Sequence, residues 1–169
     1  MGASAPITID QSLYFHKVAA MAIQTVQFTV DGQPVGKGRP RFSVRGGRAI
    51  AYTPDKTRAY EDKIRQAAWV AMAQAKLKPT DRRVSVIMTA FFEIPKSYTK
   101  KQVIQCQAGI LIPKRPDIDN VQKAVMDACN NVVMLDDGQV WHVTAFKRYV
   151  DFGQEPCLNV KFQWDDGSI

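Results

Sequence analysis

The sequence has few of the residues that build disulfide frameworks, thiolate metal sites or membrane spans. Its three cysteines, Cys106, Cys129 and Cys157, are odd in number and far apart, and none belongs to a CxxC spacing. This pattern argues against a disulfide framework and against a zinc site, and it is typical of reduced thiols in a cytoplasmic protein. No run approaches the roughly 18 consecutive apolar residues of a transmembrane helix. We therefore expect no membrane partner.

The N-terminus lacks the features of a secretory signal. It has no basic start, and polar residues between positions 10 and 17 interrupt its apolar residues. We interpret residues 1–20 as an N-terminal extension that is disordered or non-native. Residues 21–169 are then a single domain, since a chain of 169 residues is ordinarily one domain with a proper core.

The apolar pattern predicts strands and helices that follow one another along the chain. Alternation and β-branched content predict strands over 24–30, a hairpin over 42–52 around Gly46-Gly47, a strand buried on both faces over 84–92, and strands over 140–149 and 157–164. Helical spacing predicts helices from a Thr53 cap to about 75, from a Ser97 cap to about 107, and from Asp119 or Asn120 to about 130. This order predicts an α+β fold in which a mixed β-sheet packs against helices.

The chain is basic overall, but four of its acidic residues lie close together in the sequence. It has 23 Lys and Arg against 16 Asp and Glu, a net charge of +7, and a pI near 9.4. Such a surface favours polyanions. Asp117, Asp119, Asp136 and Asp137 nevertheless fall close together. Because Mg²⁺ takes oxygen ligands, a carboxylate cluster in a basic protein predicts metal-dependent chemistry on a phosphate backbone.

Asp117 and Asp119 stand two positions apart after Pro116. In an extended chain alternate side chains point the same way, so both carboxylates can face one ion. They also precede a predicted helix, whose N-terminus favours anions and phosphate oxygens. The alternative is a helix cap, in which Asp119 or Asn120 caps the helix and Asp117 is solvated.

Lys123 lies four residues after Asp119 and shares its helical face. It can stabilise charge at a scissile phosphate, or it can form an ordinary ion pair along the helix. Asp127 lies about 12 Å beyond Asp119 along the helix axis, too far to share an ion. We interpret it as a partner of Lys123 or as a solvated residue. One of Asp136 and Asp137 is expected to complete the metal site; the alternative is an acidic turn.

A basic segment follows the first predicted strand. In an extended chain Lys37, Arg39 and Arg41 share one face, and the intervening proline confines the segment to an edge or a loop. Such an arm can track a nucleic-acid backbone, and Arg45 and Arg48 extend it. The alternative is a charged edge strand that discourages aggregation.

Together and in this order, these motifs resemble the RusA family of Holliday junction resolvases, over about residues 22 to 165. The segments that carry the resemblance are Gly36-Lys37-Gly38-Arg39-Pro40-Arg41-Phe42, Tyr52-Thr53-Pro54 with Tyr60-Glu61, Arg115-Pro116-Asp117-Ile118-Asp119-Asn120-Val121 with Lys123 and Asp127, Asn130-Asn131-Val132-Val133, Asp136-Asp137-Gly138-Gln139-Val140, and Lys147-Arg148-Tyr149. The sequence departs from the family pattern at Asn131, where a glycine often stands.

The resemblance implies a RusA-like fold and a homodimer that depends on Mg²⁺, with Mn²⁺ as a substitute, and that needs no organic cofactor. It implies paired nicks in opposing strands of a four-way DNA junction, in recombination and repair. Its essential residues correspond to Asp117, Asp119, Asp137 and Lys123, with Asp136 as a further candidate metal ligand. DNA contacts are expected at Lys37, Arg39, Arg41, Arg45, Arg48, Lys114 and Arg115. Two alternatives stay open: a module that binds branched DNA without cutting it, and a nuclease for flaps, single strands or RNA.

Overall fold

The predicted order of strands and helices is confirmed. The computed structural model describes residues 22–39, 41–45, 48–52 and 54–167, with the backbone alone between 41 and 52. Its strands are β1 (Ile23–Asp31), β2 (Arg41–Arg45), β3 (Arg48–Tyr52), β4 (Val84–Phe92), β5 (Val140–Tyr149) and β6 (Cys157–Asp165). Its helices are α1 (Asp55–Gln74), α2 (Lys100–Gln107) and α3 (Ile118–Cys129), and a single 3-10 turn spans Asp137–Gln139. None of these helices is long and apolar enough to cross a membrane.

The main sheet is mixed, as predicted. Its strand order is β1-β6-β4-β5, with β6 antiparallel to both neighbours and β5 parallel to β4. A parallel pair needs a long crossover, and the chain uses α2 and α3 for it. This crossover brings α3 beside β5. Strands β2 and β3 form a separate antiparallel pair, in which Arg45 lies opposite Arg48. The predicted Gly46-Gly47 turn lies outside the described residues.

The hydrophobic core lies between the helices and one face of the main sheet. Helix α1 packs on β1 and on α3, while α2 and α3 contact β5. Strand β4 supplies the centre of the core with side chains that are at most 2% exposed, namely Val84, Val86, Met88, Ala90 and Phe92. The alternate residues of β4 are only half-buried. The prediction that this strand is buried on both faces is therefore wrong, because the described helices cover one face.

Helix α2 begins two residues later than predicted. Its N-cap is Thr99 and not Ser97, because Thr99 forms a capping box with Gln102. The Thr99 hydroxyl accepts from the Gln102 N–H at 3.3 Å, and Gln102 Oε1 accepts from the Thr99 N–H at 2.9 Å. At the start of α1, Pro54 holds the N-cap position, and the predicted cap Thr53 lies outside the described residues.

Helix α3 begins at Ile118, with Asp117 in the N-cap position. It therefore starts earlier than the predicted Asp119 or Asn120. Just after its last turn, Asn131 has φ of 60°, a left-handed conformation that glycine adopts most readily and asparagine tolerates. This conformation is compatible with asparagine at the position where the resemblance leads us to expect glycine.

Candidate active site

An open pocket lies between α3 and the start of β5. Its volume is about 260 Å³, and it is lined by Asp119, Gln122, Lys123, Met126, Asp137, Val140 and Val143. Four of these residues recur on α3 at spacings of three and four, so they form one face of that helix. The structure thus brings Asp119, Lys123 and Asp137 together, although the third comes from a different segment of the chain.

The two neighbouring aspartates before β5 have different environments. Asp136 caps the 3-10 turn: its Oδ1 accepts from the Gly138 N–H at 2.7 Å, and its own N–H donates to Gln139 Oε1 at 2.8 Å. Asp137 instead lines the pocket, with its Oδ2 3.7 Å from Lys123 Nζ. Asp137 is therefore the better placed candidate ligand, whereas one oxygen of the Asp136 carboxylate is used in capping.

Asp117 does not line this pocket. Its Oδ2 accepts a 2.7 Å hydrogen bond from Arg115, whose side chain is 82% exposed. The prediction that the chain is extended from Asp117 to Asp119 is wrong, because the helix has already begun at Ile118. A role of Asp117 as a metal ligand stays a prediction. Asp117 flanks the helix N-terminus, while Asp119 enters the pocket from the first turn.

The pocket fits a hard divalent cation through two carboxylates. Among the described residues, no group of three or more His, Cys, Asp or Glu side chains is arranged to hold a metal ion. Mg²⁺ is commonly bound by one or two carboxylates, with waters and substrate phosphates completing its shell. Asp119 and Asp137 supply that number of anionic oxygen donors, on the lining of one open pocket.

A chain of ion pairs runs from the buried side of α1 to the pocket. Glu61 Oε1 accepts from Lys37 Nζ at 2.6 Å, and Lys37 Nζ also lies 2.8 Å from Asp127 Oδ2. The other oxygen of Asp127, Oδ1, is 2.8 Å from Lys123 Nζ, which faces Asp137. We call Glu61, Lys37, Asp127, Lys123 and Asp137 the ion-pair chain. The predicted pairing of Asp127 with Lys123 is confirmed.

The ion-pair chain favours the charged form of its inner members. For Asp127, burial raises the pKa, but hydrogen bonds from Lys123 and Lys37 outweigh it and leave the pKa below its ordinary value. For Lys37, burial lowers the pKa, but hydrogen bonds to Asp127 and Glu61 outweigh it and leave the pKa raised. For Lys123, the hydrogen bond to Asp127 is the main cause of a raised pKa.

The Lys37 side chain forms ion pairs within the protein, and DNA contact at Lys37 stays a prediction. Its ammonium group is directed at Glu61 and Asp127, and its backbone N–H donates to the Asn120 carbonyl at 2.7 Å. Its charge is therefore already compensated, in contrast to the exposed Arg39. Phosphate contact at Arg39 stays a prediction. The side chains of the other predicted arm residues, Arg41, Arg45 and Arg48, lie outside the described part of the structure.

Two further predicted DNA contacts lie just before α3. The side chains of Lys114 and Arg115 are exposed, and Arg115 also donates a hydrogen bond to Asp117. The backbone of this segment is held by Lys147, whose Nζ donates to the carbonyls of Lys114 at 3.2 Å and Pro116 at 2.9 Å. DNA contact at Lys114 and Arg115 stays a prediction.

At the sequence level Glu61 belonged to a motif that carries the resemblance but had no assigned role, and the pairing role of Lys37 was missed. A signal for Glu61 is present, because the buried stripe of α1 runs through Thr57, Glu61, Ile64 and Ala68 at helical spacing. A carboxylate on such a stripe requires a nearby cation or donor. The backbone contacts of Lys147 were also missed, since nothing in a strand sequence shows which distant carbonyl a lysine will meet.

Sequence comparisons cover most of the described chain. The family model of Endodeoxyribonuclease RusA matches residues 31–161, a span that contains the pocket and the ion-pair chain. The chain is also 33% identical over 141 residues to a Bacillus subtilis (strain 168) protein named "Uncharacterized protein YqaN", a match that covers 80% of this chain and 93% of that protein. On this basis the chain belongs to the RusA endodeoxyribonuclease family.

Proposed function

We propose that this protein is a Mg²⁺-dependent endodeoxyribonuclease that cuts four-way DNA junctions as a homodimer, in recombination and repair in the cytoplasm. Membership of the RusA family supports the nuclease class. The observation that carries the proposal is the convergence of Asp119, Lys123 and Asp137 on one pocket. The free cysteines Cys106, Cys129 and Cys157 support a reducing compartment.

Each of the three pocket residues has a role that its position supports. Asp119 and Asp137 hold the divalent cation. When bound, such an ion supplies a nucleophilic water and neutralises charge at the phosphate. Asp119 also lies in the first turn of α3, where free N–H groups and the helix dipole favour a phosphate oxygen.

Lys123 acts on the phosphate directly. Its side chain is 56% exposed and keeps donors free, since an ammonium group has three and the close contact to Asp127 uses one. A fixed cation beside the scissile phosphate stabilises charge that develops in the transition state. The exposed cations Arg39, Lys114 and Arg115 supply contacts to neighbouring phosphates, which position DNA without reading its sequence.

The homodimer part of the proposal draws on the face of the sheet that the described helices leave uncovered. The described helices pack on one face, and the opposite face carries half-buried Ile87 and Phe91 and the 57% exposed Phe146. A two-fold partner on this face would bury these side chains. A symmetric dimer then offers two pockets to a substrate that is itself nearly two-fold symmetric.

The test is cleavage of labelled synthetic DNA by the purified protein during a Mg²⁺ titration. A four-way junction is compared with a flap, a duplex, a single strand and an RNA of matched sequence. We expect paired nicks in the junction, no product in chelator, and little cutting of the other substrates. Junction binding without cleavage at any Mg²⁺ or Mn²⁺ concentration, or preferred cutting of flaps or RNA, would contradict the proposal.

The chain offers a matched control for its two candidate ligands. Asp119→Asn and Asp137→Asn are each expected to reduce cleavage by about 100-fold or more while junction binding in a gel-shift assay stays near native. Asp136→Asn makes the same chemical change at the capping residue, so its cleavage rate is expected to stay within about threefold of native. Equal losses at Asp136 and Asp137 would contradict the assignment.

A further inference from the structure

Asp127 is shared between two lysines through separate oxygens. Its Oδ1 is 2.8 Å from Lys123 Nζ and its Oδ2 is 2.8 Å from Lys37 Nζ. Glu61, which is 9% exposed, holds Lys37 from the other side at 2.6 Å. Lys37 thereby links Asp127 on α3 to Glu61 on α1, and only one oxygen of Asp127 is directed at Lys123.

Lys123 has a second anion within reach. Its Nζ is 2.8 Å from Asp127 but 3.7 Å from Asp137, and Asp137 is the more exposed of the two carboxylates, at 40% against 24%. Without the charge on Asp127, Asp137 is the remaining carboxylate paired with Lys123 in the described structure. A shift of the ammonium group by about 1 Å would close this gap to a direct hydrogen bond. An Asp137 carboxylate held that way is less available to a cation.

We propose that Asp127 is a positioning residue that holds Lys123 back from Asp137 and so keeps the Asp137 carboxylate available to a divalent cation. This inference rests on the proposed function, because it takes Asp137 as a cation ligand. Lys37 and Glu61 serve the same end indirectly, since they fix the orientation of Asp127. Lys37 and Glu61 then have a role in the site that does not require their own side chains to contact DNA.

A purely structural role would be hard to distinguish by activity alone. An exposed ion pair usually contributes little to stability, and its loss need not affect a distant site. The pair between Asp62 and Arg65 on α1 is of this kind, at 2.6 Å and with both side chains exposed. Asp62→Asn therefore serves as the control for Asp127→Asn, because it removes the same charge from a helix without reaching the pocket.

The experiment measures Mn²⁺ binding to the full chain without DNA, from the signal of free Mn²⁺ in electron paramagnetic resonance. The variants are Asp127→Asn, Lys123→Met, the double variant and Asp62→Asn. We expect Asp127→Asn to weaken Mn²⁺ binding about three- to tenfold, and the same change in the Lys123→Met background to weaken it less than about twofold. Asp62→Asn should bind Mn²⁺ as the native chain does.

The outcomes separate this inference from the proposed function. Equal weakening by Asp127→Asn in both backgrounds would show a direct Coulombic effect of Asp127 on the ion and would overturn the inference. Unchanged binding in Asp127→Asn would overturn it as well, and in both cases the nuclease proposal stands. Absence of any Mn²⁺ binding to the native chain would overturn the metal site and the inference together. If circular dichroism shows that Asp127→Asn does not fold, Asp127→Asn combined with Lys37→Met, which removes one charge of each sign, replaces it in the same cycle.

Discussion

At the scale of single residues, Asp127 has the most consequences for its surroundings. It is 24% exposed and holds two ammonium groups. Its pKa in the folded protein lies below the ordinary value of 3.8, because the lysine hydrogen bonds outweigh burial. The unfolded chain therefore binds a proton at this group more readily than the folded one, so the stabilisation is fully present above pH 3.8 and is lost as the pH falls through the folded pKa.

This linkage predicts a pH-dependent difference between the native chain and Asp127→Asn. We expect the native chain to have the larger free energy of unfolding, by about 1–3 kcal/mol, with a constant difference between about pH 5 and 8. The difference should shrink as the pH falls below 3.8. Urea denaturation in the presence of chelator, at a series of pH values, measures it. Asp62→Asn, at an exposed pair, should differ from native by about 0–1 kcal/mol. A difference that grows in acid would contradict the assignment.

At the same scale, the sequence was informative about which residues matter and less so about their contacts. The four-residue spacing of Asp119 and Lys123 predicted that they share a helical face, and both residues line the pocket. The partner of Lys37 was not predictable, since Glu61 and Asp127 reach it from two different helices. Only the packing of α1 against α3 brings those side chains within hydrogen-bond distance.

At the scale of elements, the segment that precedes β2 packs closely against the start of α3. A Cβ on Gly36 would lie 2.8 Å from the Cβ of Pro116 and 3.0 Å from that of Asn120. The next residue, Lys37, donates its N–H to the Asn120 carbonyl at 2.7 Å. Because residue 36 is glycine, this segment can pack against the start of α3, where Asp117 and Asp119 lie.

Gly36→Ala is expected to force these two segments apart. Overpacking of this kind costs about 1–3 kcal/mol, and here it would also displace the first turn of α3, so we expect lower stability and a lower rate of junction cleavage. Gly32→Ala is the matched control, because Gly32 has φ of 95° and nothing within 4 Å of an added Cβ. It should lower stability by about 1–2 kcal/mol through backbone strain and leave the cleavage rate per folded molecule unchanged. Equal cleavage rates of Gly36→Ala and Gly32→Ala, measured under conditions in which both variants are folded, would contradict this account.

The elements themselves were largely predictable because their signals are local. The alternation of apolar and polar residues over 24–30 predicted β1, and the helical spacing of apolar, mostly alanine residues after Pro54 predicted α1. The misplaced cap of α2 was avoidable, since Thr99 followed by Gln102 is a capping-box signature. The burial of one face of β4 was harder to predict, because it depends on where α1 and α3 pack and not on the strand sequence.

At the scale of the whole molecule, the sheet face that the described helices leave uncovered is the surface on which the proposed dimer depends. Phe146 lies on it opposite Thr89 of β4 and is 57% exposed. A lysine there would place a charge in a dimer contact and disrupt it. We expect Phe146→Lys to shift the molar mass measured by light scattering from dimer to monomer, with an unchanged circular dichroism spectrum and a loss of paired nicks.

Trp69→Lys is the matched control, because Trp69 is a similarly exposed aromatic residue, at 65%, on helix α1. It is expected to remain dimeric. A native protein that is a monomer at micromolar concentration, or a Phe146→Lys variant that stays dimeric, would contradict the assignment of this face. The dimer surface itself could not be read from sequence, since an exposed apolar residue is recognisable only once the covered face of the sheet is known.

The central claim is that Asp119 and Asp137 hold a divalent cation beside Lys123. Crystals of the protein soaked in Mn²⁺ test it most directly, through the position of the anomalous scattering peak. We predict a peak in the α3–β5 pocket, with carboxylate oxygens of Asp119 and Asp137 at about 2.1 Å, the distance typical of such sites. A Mn²⁺ peak elsewhere on the molecule, with this pair left free of metal, would contradict it.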